Sequence, residues 1–158
     1  MATREEFVAA VQTVDARLDA LRDRILADSE APLNEGSWRI RDALSHLAAR
    51  ANGVNRVLAR LEPRPDGQAA PAPRNIDEIN AGQVEERTDR TAEQLLDEIR
   101  DGHRAALEAI ADVDDATLAQ VLPLGFRPGE AAVADLMSMG GPRHDHGHID
   151  QIEVALER

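Results

Sequence analysis

Five histidines stand out in a chain that has no cysteine and no tyrosine: His46, His103, His144, His146 and His148. His144 and His148 are four apart, so on a helix they share a face with Cβ atoms about 5–6 Å apart. That bite suits two imidazoles on one metal ion, each bonding at about 2.0–2.1 Å. His146 lies between them in sequence and points to the other side; it reads as solvent-facing. Two imidazoles on a core-facing stripe cost stability unless their nitrogens are satisfied, and a metal ion would satisfy one nitrogen on each ring. Gly140, one turn before His144, leaves room for a water or a ligand.

A third ligand has to come from another helix. His46 lies on the shoulder of its helical stripe, beside Ala43 and Leu47. His103 lies on the stripe of Ile99, Ala106 and Ile110. Periodicity alone leaves both open and favours His103, although a lone histidine on such a stripe is most often a hydrogen-bonded packing residue. Asp145 and Asp150 read as solvated, with the alternative that either orients an imidazole from outside the ligand set.

Helical periodicity supplies the elements that would position these rings. Phe7, Val11, Val14, Leu18, Leu21 and Ile25 alternate steps of four and three, which predicts a helix over about 4–28. Ala31-Pro32 and Asn34-Glu35-Gly36 break it. Ile40, Leu44, Leu47, Ala51, Val54, Leu58 and Leu61 mark a second helix, starting near Ser37 and stopping at Glu62-Pro63. The proline-rich segment from Pro63 to Arg74 reads as a long surface crossover. A third helical region, one kinked helix or two, spans roughly 76–111. It has start signals at Asn75 and at the capping box Thr91-Ala92-Glu93-Gln94. A second crossover runs from about Val113 to Pro128. The last helix covers about Gly129 to Leu156, with Val133, Met137, Gly140, His144, His148, Gln151 and Ala155 on one stripe. Proline removes a backbone donor, so Gly140-Gly141-Pro142 predicts a kink or a restart there. No strand signal competes. The expected fold is all-α: one domain over residues 1–158, a four-helix bundle with two long crossover connections. Its only aromatics are Trp38, Phe7 and Phe126, so the core is light.

Composition removes several classes of function. Absence of cysteine rules out thiolate ligands, disulfides and a cysteine nucleophile. The formal charge is −12, from 30 acidic and 18 basic residues, and every basic residue is arginine. With no basic stripe to oppose that charge, a nucleic-acid partner is not expected. No apolar run approaches a membrane span and the N-terminus lacks a signal-peptide core, so a cytoplasmic location is expected. No Ser-His-Asp pattern or glycine-rich phosphate loop is present.

Two stretches carry a family resemblance. Trp38-Arg39-Ile40-Arg41-Asp42-Ala43-Leu44-Ser45-His46-Leu47 resembles the second-helix signature of the DinB-like (DinB/YfiT) superfamily. In that signature a Trp opens the helix, an Arg and an acidic residue follow, and a His-Leu pair closes it. His144-Asp145-His146-Gly147-His148-Ile149-Asp150-Gln151-Ile152 resembles the last-helix signature, a HxxxH followed by Gln-Ile. Order and spacing of the two match the superfamily across essentially the whole chain. The resemblance implies that His46, His144 and His148 ligate one divalent metal, zinc or nickel, and it is this carry-over that selects His46 over His103. The chain departs from the superfamily at Gly140-Gly141-Pro142, just before the first His of the pair.

Three histidine ligands leave at least one coordination position open, the pattern of a catalytic rather than a closed metal site. Characterised members of the superfamily include S-transferases and isomerases that use a low-molecular-weight thiol such as mycothiol. The resemblance therefore implies a metal-dependent thiol S-transferase acting on that thiol and a small electrophile. A metal-dependent hydrolase is the alternative of the same class. A non-catalytic small-molecule binding or stress-resistance protein is the alternative of another class. As in relatives, helix packing leaves room for a homodimer.

Overall fold

A computed structural model of the chain describes residues 2–63, 75–125 and 128–157. The elements in order are α1 (Arg4–Ala27), α2 (Ile40–Arg50), α3 (Gly53–Ala59), α4 (Ile76–Glu85), α5 (Ala92–Ala111), α6 (Asp115–Ala119), β1 (Val121–Pro123), β2 (Glu130–Ala132), α7 (Val133–Met139) and α8 (Pro142–Leu156). The architecture is an all-α helical bundle with one small hairpin-like ribbon. No helix among the described residues is long and apolar enough to cross a membrane.

Local signals set most helix ends. Thr3 caps α1 by accepting from the Glu6 N–H, while the Glu6 carboxylate takes the Thr3 N–H at 2.8 Å. Thr91 and Gln94 form the same reciprocal pair at the start of α5. Such caps satisfy amides that have no partner inside the helix. All six apolar positions of the first stripe are buried on α1. The third helical region resolves into two helices, and both start signals are used: Asn75 caps α4 and Thr91 caps α5.

Three expectations need correction. The second helix starts at Ile40, not near Ser37, because Asp42 reaches back to the Arg39 N–H at 2.9 Å and fixes the cap there. It also ends at Arg50 and restarts as α3. A Cβ on Gly102 of α5 would meet the Ala51 Cβ at 2.5 Å, so α5 approaches the break closely enough to exclude any larger residue. Arg56 then donates to the carbonyls of Ala49 and Arg50 freed by the break. Finally, strands do occur: β1 and β2 pair antiparallel, Val121 opposite Ala132, and Pro32 bridges Arg39. Three-residue strands are too short to display an alternation in sequence. The crossover from Pro63 to Arg74 and the aromatic Phe126 lie outside the described residues, apart from Pro63 itself.

The apolar core forms two clusters. One gathers Leu18, Leu21 and Ile25 of α1 with Leu44 and Leu47 of α2, Leu95 and Ile99 of α5, and Ile149 and Ile152 of α8. The other gathers Phe7 and Val11 of α1 with Val54 of α3, Ala106 and Ile110 of α5, and Val133 and Met137 of α7. Between them along α1, α5 and α8 fall Asp15, His103 and Asp145. His103 and Asp145 are among the few buried polar side chains described. A polar layer thus crosses the bundle between two apolar halves.

Candidate metal centre

The last helical region restarts as its Gly-Gly-Pro segment predicts. Gly141 ends the approach from α7, where a Cβ would come within 2.7 Å of the Met137 carbonyl oxygen, and Pro142 occupies the first turn of α8. Proline is suited to that position because its missing N–H would have had no helical partner. The break resets the phase of the helix. The buried face of α8 is Asp145, Ile149, Ile152 and Ala155, so the single stripe expected through Gly140, His144 and His148 is replaced by one offset from it. His144 and His148 stand half-buried at the edge of that face.

From this edge they meet His46 of α2. The Nε2 atoms of His46 and His144 are 3.1 Å apart, and those of His148 and His144 are 3.2 Å apart. One ligand atom from each of the three rings falls within 4.8 Å of the others, and no other group of this kind occurs among the described residues. His46 is 1 % exposed although it lies on the shoulder of its stripe. Helix α2 is buried over most of its circumference, and Gln83 of α4 reaches over to this ring.

Every outward-facing nitrogen meets an oxygen. His46 Nδ1–H donates to Gln83 Oε1 at 2.7 Å, and His148 Nδ1–H donates to Gln151 Oε1 at 3.0 Å. His144 Nδ1–H faces Asp145 Oδ1 at 3.3 Å. With the protons held outside, all three Nε2 atoms turn lone pairs toward one another. Among the described residues, nothing pairs with these lone pairs except the other two rings. Tetrahedral coordination at about 2.0–2.1 Å separates two nitrogen ligands by about 3.3 Å, close to the spacing found here. The donor set and its separation therefore fit a divalent ion. Burial lowers the pKa of His46, and the facing His144 and His148 lower it further against the Gln83 hydrogen bond, to about 3. Burial and the His144 ring lower that of His148 as well. Neutral imidazoles are the form a metal requires.

His103 does not join them. It donates to Asp15 Oδ1 of α1 at 2.6 Å, and its other nitrogen lies 3.6 Å from Asp145 Oδ2. Burial opposes its charge, but the carboxylates of Asp145 and Asp15 outweigh that and raise its pKa to about 9. The solvated reading of Asp145 is overturned. It is 3 % exposed, wedged between His103 and His144, which corresponds to the ring-orienting alternative. Burial alone would raise its pKa; hydrogen bonds from the two histidines bring it below the ordinary carboxylate value. Asp150 is largely exposed and paired with Arg17 at 2.7 Å. His146, expected to face solvent, is only half-buried and accepts from Arg17 Nη1 at 3.0 Å. Trp38 leans on the group from the far side, its ring centroid 5.2 Å from that of His46 and 5.9 Å from that of His148.

Beside His46 and His144 opens a cleft of about 460 Å³. Its walls come from α2, α3, α4, α7 and the Gly140 turn, with Val57, Ile79, Leu136 and Met137 among the apolar lining. Sequence reading missed Gln83 and the cleft arginines Arg50, Arg56 and Arg60. Gln151 had a local signal, three residues after His148; Gln83 had none, because the α4–α2 packing that presents it is not encoded in spacing.

Fold and site together define a DinB-like helical bundle with a three-histidine group. A family profile described as mycothiol maleylpyruvate isomerase N-terminal domain matches residues 7–139, and the chain belongs to that family, within the DinB/YfiT-like superfamily. The matched span includes His46 and ends before α8, which carries His144 and His148. No curated protein matches the sequence. The crystal structure of an uncharacterised protein from Clostridium difficile 630 has the same fold, with a TM-score of 0.77 at 9% identity over 97% of this chain and 95% of that one. Another, from Escherichia coli UTI89, gives 0.72 at 13% identity over 98% and 93%.

Proposed function

We propose that His46, His144 and His148 hold one divalent ion, zinc or nickel, in a metal-dependent enzyme of the thiol S-transferase type. The observation that carries this reading is the convergence of three Nε2 lone pairs beside an open cleft. The family name supports a low-molecular-weight thiol such as mycothiol as one substrate, with a small electrophile as the other. When bound, a divalent ion with an open position would lower the pKa of a thiol or water. Gln83, Gln151 and Asp145 fix the three rings by holding their outer protons. The largely apolar cleft opens beside His46 and His144, so a substrate would approach the group from that side. The chain has neither cysteine nor tyrosine of its own to supply a nucleophile or phenolic acid. The reading takes residues 1–158 as one domain.

Elemental mass spectrometry on untagged protein, with a mycothiol-consumption assay against a panel of electrophiles, tests it. One metal per chain and turnover that is lost on chelation and restored by zinc or nickel is the expected result. Absence of metal after incubation with both ions would sink the proposal. Water-driven cleavage in place of thiol consumption would assign the same group to a hydrolase.

A further inference from the structure

Most arginines described here are spent on carboxylates. Arg17 holds Asp150 and Glu153, Arg39 holds Glu30 and Asp42, and Arg87 holds Glu98. Three arginines around the cleft are different. Arg50 Nη2 donates to the Gly140 carbonyl at 2.9 Å, Arg56 to the carbonyls of Ala49 and Arg50, and Arg60 to that of Pro123. Among the described residues, none of the three has a carboxylate within ion-pair distance, and no Asp or Glu lines the cleft. The Nε of Arg50 is buried with no hydrogen-bond partner among the described residues.

In a chain of net charge −12, three guanidinium groups line one cleft with no acidic partner among the described residues. Arg56 and Arg60 are exposed and Arg50 is half-buried, so the cost of burial concerns Arg50: a buried charge costs stability unless it is paired. Burial lowers the pKa of Arg50, with only the charge of Asp145 acting in the other direction. Arg39, in contact with Asp42, is shifted upward. Neutral carbonyls satisfy some donors but supply no counter-charge of their own. A guanidinium carries five N–H donors, so each of these arginines retains donors for a further acceptor. Planar and tetrahedral anions are the acceptors that a cluster of such forks recognises best.

We propose that Arg50, Arg56 and Arg60 form a binding site for an anionic group, carboxylate or phosphate, on the substrate that enters the cleft toward His46 and His144. The site deepens the enzyme reading above and rests on it for the identity of that group as part of a substrate. The substrate class is then a small molecule with a negatively charged end held by the arginines and its reacting end directed to the histidines. Attraction into the cleft also opposes the general repulsion that an acidic protein exerts on anions.

Titration calorimetry at low ionic strength, with succinate and with inorganic phosphate as separate probes, tests the site. The proteins are metal-free and zinc-loaded wild type, Arg56→Gln/Arg60→Gln, Arg60→Gln, Arg50→Gln and His144→Ala. Wild type should bind one probe better than the other, which identifies carboxylate or phosphate as the preferred group. Affinity should fall about tenfold or more in the double variant and survive in His144→Ala. Arg50→Gln removes a cap from Gly140 and is read only if its circular dichroism is native; Arg60→Gln, at an exposed position, provides the test otherwise. Binding of neither probe to wild type, or equal binding to wild type and the double variant, overturns the proposal. So does binding that requires zinc and vanishes in His144→Ala, since the anion then sits on the metal. Failure to load metal with anion binding intact would remove the three-histidine reading and leave the arginine site standing.

Discussion

His46 and His103 are both buried, on packed helices, and their surroundings push them in opposite directions. Burial and two facing imidazoles bring the pKa of His46 to about 3, against the hydrogen bond to the Gln83 amide. His103 sits between two carboxylates, and its pKa rises to about 9. One environment presents lone pairs without protons and fits a cation; the other has already supplied its own counter-charges. Asp145 joins the two, since it touches His103 on one side and His144 on the other. The difference teaches that burial alone does not make a histidine a ligand. What faces each nitrogen decides it.

The largest effect expected from breaking this contrast is at the three-histidine group. His46→Ala should weaken zinc binding by about a thousandfold or more, read by competition with a chelating dye. His103→Ala should instead leave one metal per chain and cost stability, about 3 kcal/mol by urea unfolding, because Asp145 loses a partner while remaining buried. Equal loss of metal in both variants would abolish the distinction.

The contrast also predicts a pH dependence. His103 stands above its ordinary value in the folded protein, so its stabilisation is fully present below about pH 6.5 and is lost as pH rises through about 9. The groups facing it are Asp15 from α1 and Asp145 from α8. Metal-free wild type should lose roughly 3 kcal/mol between pH 6 and pH 9.5, and His103→Gln should lose little over the same interval. A wild-type unfolding midpoint that is flat across this window would place His103 outside an ion pair.

The smallest effect concerns the outer protons. Gln83→Ala and Gln151→Ala remove the acceptors that hold His46 and His148, and each should reduce metal affinity about tenfold. Trp38, the single tryptophan, lies against both rings and provides a fluorescence signal for that titration. Unchanged affinity in both would mean that packing alone orients the rings.

The helices were legible because their causes are local. The stripe from Phe7 to Ile25, the caps at Asn75 and Thr91, and the restart at Gly140-Gly141-Pro142 depend on residues a few positions apart. The His144–His148 pair was legible for the same reason, as four residues make one helical turn. His46 was not separable from His103 by pattern, and a family resemblance was needed to choose it. Only tertiary packing brings His46 beside His144, 98 residues away, and brings Gln83 over its other nitrogen. Packing also decided that Asp145 is buried, that the α8 face is offset by the break, and that Arg50, Arg56 and Arg60 share a cleft. Helical period fixes the direction of a side chain relative to its own axis. The distances between axes, which make three lone pairs converge and bring three arginines to one cleft, arise only when the helices pack.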